Sequence, residues 1–503
     1  MLRRLGPLPL FWALCGTVAF AQNAPAPVEP GTLTKVPKEL QPFVKISADT
    51  VVLEHVRVID GTGAPAKDNQ SVFIIDGKIS YVGLEPKDDI TTFPGTKILR
   101  IDATGKTVFP GLVGMHEHLF YPLPDGGPGL LPLYGEMADS APRLYLAGGV
   151  TAARTAGSVE PYTDISVKQM IDAGQIPGPK LYLTSPYLEG SPAIGPQLHT
   201  LTGPDDATRL VNYWAEEGIT SYKAYMHITP EELKAAIDAA HARGLKITGH
   251  LCAVGFKEAA SLGIDNLEHG LVVDTEFYSG KKEGVCPGQH PPQAELAKMD
   301  VEGPEIQGTI KYLIDHHVAI TSTLAIFESF APNRPPLSEE MRVRESLLPD
   351  AWGSFVTTRD RIADSAVREP SEAISGRLLE MEMQFERDFV KQGGVLMAGC
   401  DPTGYGGVLP GFGDQRSLEL LVEAGFTPEE AIRIYTENGA HWLGEDARFG
   451  TIAQGKDADL VVVDGNPAKN IADVEKVDTV FKDGIGYDPQ KLIESVRGLV
   501  GLR

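Results

Sequence analysis

Cysteine is scarce in this chain: 503 residues hold four. Cys15 lies in an N-terminal apolar run, which leaves Cys252, Cys286 and Cys400 in the body of the sequence. Three thiols over so long a chain are not a disulfide framework, even in an oxidising compartment, so stability must come from a large core. One bridge can form, and the sequence leaves its partners open. Positive charge is also short. Lys and Arg number 45 against 68 Asp and Glu, for a net charge of −23. That excess argues against binding to nucleic acid or an anionic membrane surface, because both need basic patches. Its plain reading is solubility. The apolar run from Leu8 to Phe20 is too short and too interrupted by Pro and Gly to span a membrane comfortably. No glycine-rich phosphate loop follows the early strand-like runs.

What is present is ordinary in amount and informative in arrangement. Hydrophobic residues make up 42% and charged residues 22%, which excludes wholesale disorder, and the length favours two domains. Arg3 and Arg4, the run to Phe20, and Ala19-Phe20-Ala21 before Gln22 read as a secretory signal over residues 1–21. The mature chain is then periplasmic or secreted. Cleavage would remove two arginines and take the net charge to about −25. Cys15 lacks the small residues before it that a lipoprotein site wants. Residues 22–45 read as a Pro/Ala-rich linker.

From residue 46 to 107 short apolar runs alternate with turns, and Asp76-Gly77 between two such runs is a strong hairpin signal. The same texture returns over 450–490. Two β-rich pieces at opposite ends need partners, so they are expected to assemble into one small β-sandwich domain. Between them, over 108–449, strands alternate with helical patterns. The strand-like runs are 107–115, 150–155, 180–184, 220–225, 246–249, 263–267, 318–324 and 394–398. Eight βα units predict an α/β fold, a (β/α)8 TIM barrel, with a doubly wound open sheet as the alternative.

The histidines carry the functional signal. Four of the twelve stand at the ends of candidate barrel strands: His116 and His118, His250, and His269. Strand ends of this polarity are where barrel active sites form. His116 and His118, two apart in extended chain, point the same way and can reach one metal ion. Lys223 ends the fourth run. A lysine inside a barrel must be paired, neutral or modified. One reading is a salt bridge to a carboxylate. The other is a carbamate formed with CO2, which turns the cation into an anionic bridge between two metals. Asp401 ends the eighth run and adds a second carboxylate.

The set Pro110-Gly111-Leu112-Val113-Gly114-Met115-His116-Glu117-His118, Lys223, His250, Asn266-Leu267-Glu268-His269-Gly270 and Asp401 resembles the amidohydrolase superfamily. So does the stretch from Gly450 to Leu460. The likeness is closer to the imidazolonepropionase-like branch, which includes Xaa-Pro dipeptidases and ochratoxin-type amidases, and it covers roughly residues 46 to 485. The resemblance implies that His116, His118 and Asp401 hold one divalent ion and His250 and His269 the other. Carboxylated Lys223 would bridge them. Zinc is the default for such ligands, with manganese, cobalt or iron as alternatives. It further implies attack by a metal-bridging hydroxide on an amide carbonyl, with Asp401 as base and then acid. No serine or cysteine nucleophile is needed, so Cys252 and Cys400 read as small packing residues.

Substrate contacts are thinner. Tyr225 shares Lys223's inward face and could donate to a substrate carbonyl or simply pack. Arg154 could clamp a substrate carboxylate or form an internal salt bridge. His199 is a candidate pocket residue, whereas His227 and the His316-His317 pair have no such positional argument. The loop over 190–197 lacks the glycine run before a histidine that many relatives carry, and 274–304 and 332–369 are long. Three readings follow: hydrolysis of an amide near a carboxylate, as in Xaa-Pro dipeptides or N-acyl amino acids; cyclic amide, imidazolone or lactone opening; and a non-catalytic scaffold, against which the complete ligand set argues. The substrate is a small molecule in the first two. Assembly into a homo-oligomer is left open, since no segment identifies an interface.

Overall fold

The computed structural model describes residues 36–84, 98–123, 133–288, 290–335, 340–368 and 374–501. The expected signal segment and residues 22–35 of the linker lie outside them.

Eight parallel strands run through the middle of the chain: β1 (Leu112–Glu117), β2 (Val150–Thr155), β3 (Lys180–Tyr182), β4 (Ser221–Ala224), β5 (Lys246–Gly249), β6 (Asn266–Glu268), β7 (Ala319–Ser322) and β8 (Leu396–Ala398). Every residue of β1, β2, β4, β6, β7 and β8 is buried, as expected of strands covered on both faces. They form two sheets in chain order, β1 to β3 and β4 to β8. The sheet edges are joined by local bridges. Thr184 and Leu188, beyond β3, pair in parallel with Ser221 and Ala224. Beyond β8, the Asp401 amide donates to the His116 carbonyl at 3.0 Å.

The connecting helices start where the sequence punctuates. Pro161–Asp172, Pro204–Glu216, Pro230–Ala242 and Pro304–Asp315 all open on proline, whose fixed φ suits the first turn. Thr229 and Glu232 add a reciprocal capping box to the third of these. Two strand expectations shift in register. Gly263, expected to begin a strand, sits at φ 99° and closes the helix Phe256–Leu262 in a left-handed cap. The seventh run stops at Ser322 because Leu324–Ser329 is already helical.

Residues from both ends of the chain form one nine-stranded sheet. Lys106–Pro110 pairs antiparallel with Leu460–Asp464, placing Val461 opposite Phe109. Val51, Leu53, Val72, Ile74 and Val108 share one core with Ile452, Leu460 and Phe481. The expected Asp76-Gly77 hairpin is present, with both residues at positive φ (49° and 75°), and Asp483-Gly484 repeats the device (51° and 77°).

The insertion after β6 holds the helix His290–Leu296. It is tied to the loop after β5 by a Cys252–Cys286 disulfide, with Cα atoms 4.9 Å apart. Lys281 Nζ reinforces the tie by donating to the Ala253 carbonyl at 2.8 Å and to that of Cys252. Cys252 is thus a cross-link and not a packing residue. Spatial proximity across 34 residues decides this pairing, which spacing alone could not. Cys400 stays free and buried, its Sγ 3.0 Å from Glu117 Oε2.

Candidate active site

The carboxyl ends of the parallel strands open into a cavity lined by His116, His118, Lys223, His250, His269 and Asp401. All six candidate ligands are therefore brought together. His116 and His118 face the same way from the end of β1, with ring centroids 5.3 Å apart. Tyr145 pins this segment, its hydroxyl accepting from the His118 amide and donating to the His118 carbonyl. His269 and Asp401 each follow a strand with φ in the left-handed region (69° and 50°). For non-glycine residues that backbone costs about 1–3 kcal/mol and persists where surrounding structure enforces it, often at functional sites.

Each imidazole is oriented by an outer partner. His116 Nδ1 lies 2.8 Å from Glu268 Oε2, and His118 Nδ1 lies 3.2 Å from the Gly157 carbonyl. Both partners are acceptors, so each Nδ1 carries the proton and each Nε2 presents a lone pair. Those lone pairs meet Asp401: His116 Nε2 is 3.7 Å from Oδ2 and His118 Nε2 3.5 Å from Oδ1. Acceptors converging without a hydrogen between them repel unless a cation sits among them. Two atoms bound to one tetrahedral zinc at ~2.05 Å stand roughly 3.3 Å apart, close to these spacings. The donor set fits a divalent ion.

Within the cluster, His116, His269 and Asp401 bring ligand-type atoms all within 4.8 Å of one another. His269 also touches His250, with ring centroids 4.5 Å apart. His269 Nδ1 is 2.8 Å from Thr323 Oγ1. Burial, with Lys223 and neighbouring histidines adding to it, holds all four imidazoles below their ordinary pKa, His250 at about 3. They are neutral, as metal ligands must be.

Lys223 is 1% exposed, and its Nζ lies 3.6 Å from Glu268 Oε1. Burial lowers its pKa to about 8, against the pull of Glu268. Glu268 is the residue that sequence reasoning passed over. It appeared within a quoted motif, yet its contacts come from three other strands. Burial pushes its carboxyl up, but Arg154, Lys223 and His116 outweigh that and hold it well below the usual carboxylate range.

Arg154 is corrected by its surroundings. It is fully buried, donates to Glu268 Oε1 at 2.8 Å and to the Met115 carbonyl, and does not line the cavity. Its two terminal nitrogens are spent on the protein, NH1 reaching Thr248 Oγ1 at 3.4 Å, which is the internal salt bridge and not a clamp for substrate. His199 is also outside the cavity. It is half exposed on Asp206, with Nε2 to Oδ2 at 2.9 Å, while its neighbours Gln197 and Leu198 form the wall. Tyr225 does line the cavity beside Lys223. His227 pairs with Glu189 at 2.8 Å, away from the site.

Other wall residues were not anticipated: Phe120, Tyr134, Tyr187 and Thr403. Phe120 alone had a readable signal, since it continues the every-second-residue face of His116 and His118. Thr403 donates to Asp401 Oδ1 at 2.7 Å, which leaves Oδ2 turned towards His116 and His269.

Comparison with known proteins accords with this geometry. Residues 354–485 match the family model described as "Amidohydrolase family". No curated protein matches. Among solved structures, a putative prolidase from Bifidobacterium longum superposes with a TM-score of 0.64 at 23% identity, over 89% of this chain and 99% of that one. A Xaa-Pro dipeptidase with bound methionine in its active site gives 0.63 at 21%, over 87% and 100%. The Aspergillus niger ochratoxinase (A. niger) gives 0.60 at 19%, over 90% and 99%. The resemblance to the amidohydrolase superfamily holds, through a matched family segment and a shared α/β fold. Segment and fold are what the chain shares with these proteins.

Proposed function

We propose that this chain is an exported, binuclear metal-dependent hydrolase of amide C–N bonds. In this reading the two parallel sheets are arcs of one (β/α)8 barrel over 108–449, and the terminal strands form a composite, sandwich-like β domain. The observation that carries the proposal is the convergence of two oriented Nε2 lone pairs on the Asp401 carboxylate at 3.5–3.7 Å, with a buried lysine in the same cavity. The disulfide supports export, because such bonds persist in oxidising compartments.

His116, His118, His250, His269 and Asp401 would hold two divalent ions, zinc by donor type, with Lys223 between them as a carbamate. Its neutral amine adds to CO2, forming an N–C bond and releasing a proton. When bound, the ions polarise the scissile carbonyl and supply a nucleophilic water-derived oxygen at neutral pH. The protein's own groups do the rest. Asp401 Oδ2 takes a proton and hands it to the departing nitrogen, while Thr403 keeps the carboxylate from rotating away. The phenols of Tyr225 and Tyr187, kept neutral by burial, can donate to carbonyl oxygens. Glu268 fixes the His116 ring.

The test is a hydrolysis screen of dipeptides, N-acyl amino acids, uncharged aryl amides, lactams and lactones with zinc-loaded protein. Cleavage of linear amides supports the proposal. Opening of lactams or lactones alone moves the activity to ring hydrolysis, and no turnover of any member contradicts it.

A further inference from the structure

The substrate expectation that leaned on a carboxylate meets an obstacle in the cavity wall. Among the lining residues the one lysine or arginine is Lys223, at the floor among the ligands. Arg154 is sealed beneath it by Glu268 and the Met115 carbonyl. Within 108–449, the stretches outside the described residues (124–132, 289, 336–339 and 369–373) contain no Lys, Arg or His in sequence. A carboxylate carried into this cavity beyond the metals would be desolvated without a counter-charge.

What the wall offers instead is a belt of rings. Tyr134 packs on Phe120 at 4.9 Å between centroids, and Phe120 stacks on His118 at 4.3 Å. Tyr187 packs on Tyr225 at 4.5 Å, and Tyr225 meets His250 edge-on at 5.2 Å. Ile194, Leu198 and Val159 fill the gaps. The other polar wall groups are occupied: Gln197 is locked to both backbone groups of Tyr134 at 2.8 Å, and Thr403 to Asp401. The hydroxyls of Tyr134, Tyr187 and Tyr225 have no hydrogen-bond partner among the described residues, and they are neutral donors.

Resting on the hydrolase reading above, we infer that the part of the substrate lying beyond the scissile bond is uncharged and carries a flat, apolar ring. The preferred class is a neutral aryl or arylalkyl amide, not a dipeptide or N-acyl amino acid with a free carboxylate. Rings would be gripped by the faces of Phe120, Tyr187 and Tyr225, and a neutral carbonyl would accept from the phenols.

Two measurements on the zinc-loaded protein test this. The first compares kcat/KM for pairs differing by one carboxylate: Phe-pyrrolidide against Phe-Pro, and acetanilide against N-acetyl-4-aminobenzoate. The uncharged member is expected to be cleaved at least tenfold better. The second is equilibrium binding of 3-phenylpropionohydroxamate against the monohydroxamate of succinic acid, which share the metal-seeking group and differ in the tail. The aryl compound is expected to bind at least tenfold tighter, and Phe120→Leu, which removes a ring face but no donor, to erase most of that margin while leaving acetohydroxamate binding in place. Preference for the carboxylate-bearing member in both measurements overturns the inference and leaves the hydrolase proposal standing. Tighter binding of the aryl hydroxamate without cleavage of any amide upholds the inference about the wall and sinks the hydrolase proposal.

Discussion

Arg154 and Glu268 form a fully buried ion pair, NH2 to Oε1 at 2.8 Å, directly beneath the cluster of candidate metal ligands. Glu268 turns its other oxygen to His116 Nδ1 at 2.8 Å, so the pair fixes a ligand's orientation as well as balancing charge. Removing one partner of a buried pair strands the other. Arg154→Met is expected to cost about 3–5 kcal/mol of stability. Arg154→Lys should recover only part, since a single ammonium cannot copy a planar group whose NH2 reaches Glu268 and the Met115 carbonyl while its NH1 reaches Thr248 Oγ1. Urea unfolding of the two variants measures both effects, and a wild-type midpoint for Arg154→Met would contradict them.

Asp401 is expected to separate binding from turnover. Asp401→Asn keeps an oxygen for the metal but cannot take a proton, so it should retain part of its metal while kcat falls about 10²–10⁴-fold. Metal analysis and steady-state kinetics on the same preparation check this. An unchanged kcat would remove the proton-transfer role.

How far the site could be read in advance follows from how its parts are encoded. Candidate ligands at strand ends were legible as a cluster because each rides on a local pattern: His116 and His118 on an apolar run, Lys223 and Asp401 closing two others. Their partners were not legible. Glu268 acts through Arg154 and His116 on other strands, and Thr323 reaches His269 from across a strand pair. Arg154 closes an apolar run just as Lys223 does, yet a neighbouring carboxylate turns it from the cavity into the core. The succession of parallel strands and helices was readable from alternation, whereas the Cys252–Cys286 link depends on where an insertion folds back.

That link should carry measurable stability. Cross-linking across 34 residues removes about 3–4 kcal/mol of unfolded-chain entropy in the loop-closure estimate. Cys286→Ser, or reduction of the wild type, is expected to lower the urea midpoint and to loosen the loop carrying His250. Thermal melts with and without reductant provide the check, and identical melts would contradict the cross-link.

A pH dependence follows from Glu136 and Asp164, buried side by side. Burial pushes both carboxyls up, Asp164 to about 7, and Asp164 pushes Glu136 further. The folded state therefore holds protons that the unfolded chain has already released. The contribution of Asp164 is fully present below its unfolded value of 3.8 and is lost as pH rises through about 7, and that of Glu136 goes on being lost up to about 10. Asp164→Asn should flatten this loss, narrowing the fall in melting temperature between mildly acidic and alkaline buffer. The same fall in variant and wild type would exclude the pair as its source.

The central claim is a two-metal site bridged by Lys223, and the most direct measurement is the metal content of the purified chain beside that of Lys223→Ala. The account predicts close to two divalent ions per wild-type chain and a large loss in the variant, restored in part when a short carboxylic acid is added to replace the missing bridge. Two ions retained by Lys223→Ala, or none bound by the wild type after zinc loading in bicarbonate buffer, would contradict it.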